Sequence, residues 1–600
     1  MWPRVGPGPV FAYEWLTTTR RWQLYASRAG FVGVILVGMI VVWQNVNRQY
    51  SPGQTVSIHT LADYGQSLFT TIVSIELTLV LLAAPAATAG AVCLDKARGG
   101  LDHMLATDLS NAEIVLGKLG VRLAPVLGLI ASVLPLSALA GLLGGIDPDA
   151  LFGSFLTTIA CAFLGCSLAL TLSVWGRKTH EVLMLTYLIL ILWISSPLLL
   201  VIVAFSLRSV PPQTFAPFLW EWLECSNPYY LAFAPYTDPG KVGLTTYLGF
   251  LGFCLCLSAM LVALATFRIR VVALKQAGQA AARSRRGRFA LRLARPAWLP
   301  RLPAPSLESN PVLWREWHRS RPSRFMGLVW FLYTALGVLW TAVALQVMTT
   351  TRGNEGLIVV MNVFQVAVGL LLLSVSAATS LAEERAHGSL DVLLSTPLST
   401  FSILVGKWWG AFRLVPHVLV WPALMTSFLL VDGGHWIRYL LLLGLILAYG
   451  AGIASLGLAL ATWVSRLGRA IALCVSTYVV FSFGWIFLIV LVFRRDSVGL
   501  SLVMGSPPYG IGLATSAVAA SQRHFLDSAD ELAAGVGAVL WILIHGGVAV
   551  VLFAAVVATF DRCLGRISET AGPPVSRLRK KHLRHSQPDL DEWLTDDSVT

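Results

Sequence analysis

Charged residues are scarce in this chain. Asp, Glu, Lys and Arg make up 12% of its 600 residues, whereas hydrophobic residues make up 56%. Soluble domains carry roughly 25% charged residues, because their surfaces face water. The mean hydropathy of +0.71 points the same way. The composition excludes a soluble globular protein and predicts a protein embedded in a membrane.

Cysteine is sparse and unpaired. The eight cysteines include no CxxC pair and have no metal-ligand histidines beside them, so the sequence offers neither a zinc module nor a redox motif. Paired carboxylates and Ser/His/Asp sets are also missing from the loops, and we expect no catalytic, cofactor-binding or metal-binding residue. Six cysteines lie in apolar runs, where we expect small buried residues. They are Cys93, Cys161, Cys166, Cys254, Cys256 and Cys474.

A phosphate-binding loop is missing too. Such a loop requires Gly-x-x-x-x-Gly-Lys followed by Ser or Thr, because the amides and the lysine hold the phosphates while the hydroxyl reaches magnesium. Two Gly-Lys pairs begin at Gly117 and Gly406, but Ala112 and Phe401 occupy the first glycine position. In neither pair is the next residue Ser or Thr. We therefore expect that this chain is not an enzyme and does not hydrolyse ATP.

Apolar residues are abundant, and they fall into runs of roughly 20 or more, the length that a helix needs to cross about 30 Å of hydrocarbon. The predicted fold class is all-α, a polytopic transmembrane protein with about twelve helical spans. We place the spans at residues 29–46, 68–94, 119–145, 150–175, 181–207, 242–267, 327–348, 357–382, 410–431, 436–463, 470–493 and 535–560.

Basic residues cluster between and after the spans. Residues 268–301 hold ten Lys or Arg and no Asp or Glu, and residues 562–584 hold seven Lys or Arg. Such an excess is typical of cytoplasmic segments. We expect a multi-pass protein of the plasma (cell inner) membrane with both termini in the cytoplasm. Basic loops facing anionic lipid also account for the net charge of +13, so no nucleic-acid partner is needed.

The sequence contains an internal repeat. Residues 95–118 (DKARGGLDHMLATDLSNAEIVLGK) and 384–407 (ERAHGSLDVLLSTPLSTFSILVGK) align without a gap at an offset of 289, with 11 identities in 24 positions. We call them the first and second repeat segments. The repeat predicts two copies of one six-span unit, related by an axis along the membrane normal. Shorter matches in the same order include Glu14-Trp15 with Glu316-Trp317 and Thr186-Tyr187 with Thr477-Tyr478.

The repeat also defines the predicted domains. Residues 1–267 form a first transmembrane domain with an interfacial helix ahead of its spans, and residues 310–562 form the second. Between them, residues 268–309 are a basic cytoplasmic linker rich in Arg, Ala and Pro. Residues 563–600 are a polar cytoplasmic tail, which either binds a partner or, as we favour, keeps the protein soluble at that end.

The repeat segments resemble a known family. Their shared pattern is Glu/Asp-x-Ala-x-Gly-x-Leu-Asp-x-Leu/Met-Leu-x-Thr-x-Leu-Ser, ending Ile-x-x-Gly-Lys. With the sequence NPVLWREW at residues 310–317 and the six-span unit, this pattern is similar to that of ABC-2 type permeases, the membrane subunits of ATP-binding-cassette (ABC) exporters. The resemblance covers both halves. The copies differ from each other at Asp108, where the second has Pro397.

The resemblance implies a function and a set of residues. The repeat segments would be cytoplasmic coupling segments that receive the stroke of separate ABC ATPase subunits, which hold the ATP and magnesium. The chain itself, surrounded by membrane lipids, would form the pathway of an unidentified substrate. The resemblance also implies interfacial helices at residues 14–28 and 316–324. The implied coupling residues are Asp95, Gly99, Asp102, Thr107, Gly117, Lys118, Glu384, Gly388, Asp391, Thr396, Gly406 and Lys407.

Other interpretations stay open from the residues alone. Each repeat segment is either a docking helix, apolar on one side and acidic on the other, or an ordinary connecting loop. The chain could also be a secondary transporter, since many of these have twelve spans in two related halves. The duplicated polar segment and the few charges within the spans favour the ABC permease.

Two polar residues stand within predicted spans. Glu76 lies in the second span, and Gln365 takes the same place in the second half. A polar group in hydrocarbon must face a cavity or a partner. The pair either lines a central pathway and contacts substrate or water, or makes hydrogen bonds between helices. We favour the hydrogen bonds.

Two loops are rich in proline and aromatic residues, namely 208–241 and 494–534. They fall on the outer side in the predicted orientation and suit re-entrant or interfacial elements. The resemblance implies an external gate, and a plain aromatic anchor is the alternative. Near the inner ends of their spans, Arg122 and Arg413 are expected to reach the membrane interface without a specific partner.

Overall fold

A computed structural model describes most of the chain, and the regular structure in this part is entirely helical. This agrees with the predicted all-α class. The described residues are 8–20, 22–49, 58–97, 99–176, 178–197, 199–200, 217–238, 240–285, 306–308, 310–318, 324–350, 355–386, 389–431, 435–492, 497–519 and 528–564.

The helices vary from one short turn to long spans. In chain order they are α1 (Gly8–Thr19), α2 (Trp22–Gln49), α3 (Ile58–Thr88), α4 (Cys93–Ala97), α5 (Gly100–Leu105), α6 (Asn111–Gly141), α7 (Pro148–Trp175), α8 (Thr179–Ile194), α9 (Pro217–Ser226), α10 (Pro228–Thr237), α11 (Leu244–Arg285), α12 (Pro311–His318), α13 (Arg324–Thr350), α14 (Glu355–Ala386), α15 (Ser389–Leu394), α16 (Thr400–Phe412), α17 (Val415–Val431), α18 (Trp436–Trp463), α19 (Leu467–Val479), α20 (Trp485–Val492), α21 (Ser497–Val503), α22 (Pro507–Ala519) and α23 (Ser528–Leu564). A π-helical turn, Val480–Gly484, joins α19 to α20.

Eleven helical segments of the described chain are long and apolar enough to cross a membrane. They match eleven of the twelve predicted spans, so the chain is a multi-pass membrane protein by its helix composition. The remaining prediction, 181–207, corresponds to α8, which has 16 residues. That is shorter than the roughly 20 residues that a full crossing needs. Residues 198 and 201–207 of this predicted span lie outside the described residues.

The third span begins earlier than the sequence predicted. It starts directly after Ser110 rather than near residue 119, because Ser110 and Glu113 form a capping box. The Ser110 hydroxyl accepts from the Glu113 amide at 3.2 Å, and the Glu113 carboxylate accepts from the Ser110 amide at 2.9 Å. In the second half, the Ser399 hydroxyl accepts from the Ser402 amide at 3.2 Å, at the start of α16. Each repeat segment therefore ends inside a helix of a candidate span, α6 or α16, rather than in a loop.

The predicted linker begins as a helix. α11 continues to Arg285, past the predicted domain end at residue 267. Residues 286–305 and 309 of the linker, and residues 565–600 of the tail, lie outside the described residues. The domain boundaries at residues 267, 309 and 562 stay predictions.

Helices from the two halves of the chain pack against each other. α8 contacts α13 and α14, while α19 contacts α3. α8 and α19 carry the matching Thr-Tyr pairs, and each tyrosine donates to a helix of its own half. The Tyr187 hydroxyl donates to the Leu82 carbonyl at 2.8 Å, and the Tyr478 hydroxyl to the Ala367 carbonyl at 2.9 Å. The core is therefore continuous across the middle of the chain.

The six cysteines in apolar runs are free thiols, and five of them are buried. Cys256 is exposed, so the expectation of burial is wrong there. α11 buries one stripe of its surface, which includes Cys254 and Ser258, and Cys256 points to the opposite side because two residues along a helix are about 200° apart.

Candidate functional site

The first repeat segment contains a sharp turn at a glycine. After α4, Gly99 adopts a φ of +74°, a left-handed conformation that glycine takes without the steric cost of a Cβ. α5 follows at once. The matching Gly388 lies outside the described residues, and α15 begins directly after it at Ser389.

The short helices α5 and α15 each have one buried and one exposed side. Leu101 and Leu390 are buried in the core. The next residue in each helix, Asp102 or Asp391, is exposed. In α15 the exposed side continues with Val392, which is 69% exposed. The structure thus places Asp102 and Asp391 at the surface. The short helices that carry them are anchored in the core by Leu101 and Leu390.

The threonine of the repeat closes each of these helices. The Thr107 hydroxyl donates to the Met104 carbonyl at 2.6 Å, three residues back. In the second segment, the Thr396 hydroxyl donates to the Leu393 carbonyl, also at 2.6 Å. Both bonds satisfy carbonyls that a helix end leaves without an amide partner. The shared threonine therefore has a local structural task.

The lysine that ends the first repeat segment is buried between two carboxylates. Lys118 lies in α6, and its side chain is 1% exposed. Its Nζ atom is 2.8 Å from Glu14 Oε1, on α1, and forms a second ion pair with Asp95, on α4. Arg122, one turn further along α6, lies 3.7 Å from Glu14 Oε2. This first lysine cluster ties three helices together.

A second lysine cluster has the same plan. Lys407, on α16, is 2% exposed, and its Nζ atom is 2.5 Å from Glu316 Oε1 and 2.8 Å from Glu384 Oε1. Arg315 lies 3.5 Å from Glu384 Oε1. The Arg413 side chain donates to the Glu316 carbonyl at 2.8 Å. α12 and the end of α14 are thereby joined to α16, as α1 and α4 are joined to α6.

The glycine before each lysine makes room for the neighbouring short helix. A Cβ on Gly117 would lie 3.2 Å from the Phe11 backbone nitrogen and 3.2 Å from Val10 Cβ. A Cβ on Gly406 would lie 3.0 Å from the Leu313 backbone nitrogen. Contacts this short favour glycine, because an added side chain would fit only if the neighbouring short helix shifted. The Gly-Lys pairs thus hold α1 and α12 against the third span.

The sequence did not single out Glu14 and Glu316 as site residues. Both belong to the repeated Glu-Trp pair that supported the alignment, and that pair was the available signal. Their partners lie far away in the chain, and a buried lysine that needs two carboxylates is evident only once the helices are packed. The expectation that Arg122 and Arg413 lack specific partners is wrong, because both contact these glutamates.

The two intramembrane polar residues face their own group of helices. Glu76 is 1% exposed, and Gln365 is fully buried. Glu76 lies one turn from Ile72 and one turn from Val80, which belong to a core formed largely by α2, α3, α6 and α7. The Gln365 side chain donates to the Tyr333 carbonyl, on α13, at 3.4 Å. A role of either residue in a substrate pathway stays a prediction.

In the first of the two aromatic loops, α9 and α10 form a broken helix pair joined at Asn227. The Asn227 amide donates to the Ile194 carbonyl at 2.9 Å, and its oxygen accepts from the Tyr229 amide at 2.9 Å. The Tyr229 hydroxyl lies 2.7 Å from the Thr78 hydroxyl on α3. The chain at this break is therefore hydrogen-bonded to α8 through Asn227 and to α3 through Tyr229.

The second loop contains a similar pair, α21 and α22. Three aromatic side chains donate to carbonyls at the end of α21. Trp541 bonds the Ser501 carbonyl at 2.8 Å, Trp485 bonds the Leu502 carbonyl at 2.8 Å, and Tyr449 bonds the Met504 carbonyl. These bonds replace water at a helix end that is packed among spans. Residues 208–216, 239, 494–496 and 520–527 of the two loops lie outside the described residues.

No protein-family model matches the chain, and a search of curated proteins finds no match either. Within the described part of the chain, no group of three or more His, Cys, Asp or Glu side chains is placed to hold a metal ion. The most elaborate charged groups there are the two lysine clusters. They join helices to one another, so a displacement of one helix would be passed to the helices that are bonded to it.

Proposed function

We propose that the chain is the permease subunit of an ATP-driven exporter of the ABC-2 type. Two six-span units form the substrate pathway, and separate ABC ATPase subunits bind the repeat segments at the cytoplasmic face. The observation that carries this proposal is the shared design of the segments. Each exposes an acidic short helix and is tied by a buried lysine to the helix that precedes the first span.

The matching clusters support the two-unit arrangement. Lys118 and Lys407 stand at equivalent positions of the repeat, and each binds a glutamate of the repeated Glu-Trp pair. Buried ion pairs require close geometry, since an unpartnered charge is costly. Two regions of one chain that make the same three-helix connection are well explained as copies of one folding unit.

In the proposed mechanism, the ATPase subunits bind ATP and magnesium and move toward each other. They carry α5 and α15 with them, and the lysine clusters pass this displacement to α1 and α12. α2 and α13 follow directly in the chain, so the first span of each unit tilts. The pathway between the units then opens outward. This chain supplies no catalytic group, and both its termini remain in the cytoplasm.

Purification from the native membrane tests the proposal. We expect an ATPase subunit to accompany the chain through affinity purification in mild detergent. Its reproducible absence, together with transport that continues when ATP is depleted, would indicate a secondary transporter instead.

Charge reversal on the exposed side of the short helices should prevent docking. We expect Asp102→Lys combined with Asp391→Lys to reduce ATPase co-purification at least tenfold, because like charges placed against a complementary surface oppose association. Both residues are exposed, so the protein should fold normally. Quantitative immunoblotting of the purified complex gives the ratio of the two subunits.

Asp149→Lys is the matched control. Asp149 is also exposed, and it lies in the first turn of α7. Most of the length of α6 separates it from the first repeat segment. Co-purification should be unchanged in this variant. Equal losses in the control and the double variant would show that surface charge in general, rather than the repeat segments, controls association.

A further inference from the structure

Each repeat segment begins with two charged residues of opposite sign. In the first segment they are Asp95 and Lys96, and in the second they are Glu384 and Arg385. The acidic residue of each pair belongs to a lysine cluster, where it binds the lysine at the far end of the same segment. The basic residue points elsewhere, because neighbouring side chains on a helix are about 100° apart. It binds the end of the fourth span in its own half.

Lys96 binds the end of α7. Its Nζ atom donates to the Val174 carbonyl at 2.7 Å and to the Gly176 carbonyl at 2.6 Å. α7 ends at Trp175, and the carbonyls at the end of a helix have no amide partner within that helix. Positive charge is also stabilised there by the helix dipole. Lys96 therefore attaches α4 to α7.

Arg385 binds the end of α18 in the same way. Its guanidinium donates to the Thr462 carbonyl at 3.3 Å, and α18 ends at Trp463. Arg385 matches Lys96 at the offset of 289, and α7 and α18 are the fourth spans of their halves. The second half thus repeats the attachment with a different basic side chain.

The fourth span of each half is bonded in turn to the last span. In the first half, the Gln276 side-chain amide, on α11, donates to the Trp175 carbonyl at 3.1 Å. In the second half, the Trp463 indole donates to the Thr559 hydroxyl, on α23, at 2.9 Å. α7 also packs along α11, and α18 packs along α23. The fourth and last spans are therefore joined in each half.

The last span also binds the repeat segment directly. The Arg270 guanidinium, on α11, donates to the Leu105 carbonyl at the end of α5, at 3.0 Å. The Thr400 hydroxyl, at the start of α16, donates to Asp561 Oδ1, on α23, at 2.8 Å. Each repeat segment is thus held by two sets of bonds. The lysine cluster joins it to the helix before the first span, and the second set joins it to the fourth and last spans.

We propose that Lys96 and Arg385 form a second mechanical connection, which passes a displacement of each repeat segment to the fourth and last spans of its half. They are positioning residues, because they act through the helices that they bind. The inference rests on the proposed function, since bound ATPase subunits supply the displacement. The two connections start at adjacent residues of the segment, so one displacement moves the first span and the last span together.

A distance between spin labels on α11 and α23 tests this connection in the complete complex with its ATPase subunits. One label is attached at Lys275→Cys and the other at the native Cys563, and both positions are exposed. The two other cysteines that are not buried, Cys225 and Cys256, are replaced by serine. We expect a non-hydrolysable ATP analogue with magnesium to shift the distance between the labels by several ångströms.

Lys96→Met combined with Arg385→Met should remove most of this shift, because methionine cannot donate to a carbonyl. The ATPase subunits should still co-purify at the wild-type ratio, since Asp102 and Asp391 are unchanged. Lys96→Arg combined with Arg385→Lys is the matched control. Each half already makes the bond with the basic residue that the other half would receive, so this exchange should keep the shift.

A second variant, Arg270→Met combined with Thr400→Val, removes the direct bonds to the last spans and should also reduce the shift. It serves if the methionine variant does not fold. A full shift in the folded variants, or no shift in the wild type with the ATPase bound, would overturn this inference and leave the proposed function standing. If no ATPase subunit accompanies the wild-type chain, the proposed function fails, and this inference fails with it.

Discussion

Lys407→Met is expected to destabilise the protein by roughly 3 kcal/mol, the scale of a buried ion pair that loses one partner. The lysine is 2% exposed and lies between Glu316 and Glu384. Without it, the Glu316 and Glu384 carboxylates, whose side chains are 30% and 12% exposed, repel each other with only partial screening by water. Thermal unfolding of the purified protein measures the loss. Lys118→Met should behave in the same way through Glu14 and Asp95.

A lysine in a surface ion pair provides the control. Lys241 is 64% exposed and lies 3.3 Å from Asp238, and pairs of this kind contribute at most about 1 kcal/mol. Lys241→Met should therefore shift the midpoint little. Restoring neutrality tests the cause directly: adding Glu316→Gln and Glu384→Gln to Lys407→Met should recover part of the loss. A loss without recovery would indicate packing rather than charge.

Gly406→Ala should separate α12 from α16. The new Cβ would lie 2.9 Å from Val312 Cγ1 and 3.0 Å from the Leu313 nitrogen, and since backbone cannot rotate away, α12 must shift. Inserting one carbon into a close contact costs typically 1–3 kcal/mol. We also expect weaker binding of an ATPase subunit, because the second lysine cluster joins α12 to the end of α14, which directly precedes α15 in the chain. Unfolding midpoints and co-purification measure the two effects.

Gly468→Ala is the matched control for this substitution. Gly468 also lies in a helix, α19, but nothing stands within 4 Å of the position that its Cβ would take. Alanine should be tolerated or slightly stabilising there, because it favours helix over glycine. If both alanine variants behave alike, the close approach of α12 has no energetic importance.

Much of the architecture follows from patterns that the sequence shows directly. Apolar runs of sufficient length predicted the spans, and eleven of them are present among the described helices. The surface position of Asp102 and Asp391 follows from their place beside an apolar residue on a short helix. Both features depend on residues that are close together in the chain, so the sequence alone predicts them.

Other features depend on which distant residues meet. Lys118 and Lys407 end segments that the sequence predicts to be polar and cytoplasmic, yet both are buried against helices about 100 residues earlier in the chain. The early start of α6 rests on two hydrogen bonds between Ser110 and Glu113, whose individual contributions are small beside the hydropathy of the span. Spacing and composition do not encode the distant lysine contacts, whereas the Ser110-x-x-Glu113 spacing is a helix-start signature that hydropathy alone overlooks.

The three aromatic bonds to the end of α21 restrict how this part of the protein can move. Trp541 stands on α23, Tyr449 on α18 and Trp485 on α20, and each is attached to a different carbonyl of one short chain reversal. Any displacement of α21 and α22 must either break these bonds in surroundings without water or carry all three supporting helices along. α21, α22 and the turn between them should therefore move as one rigid unit. The π-helical turn before α20 is the adjacent flexible joint.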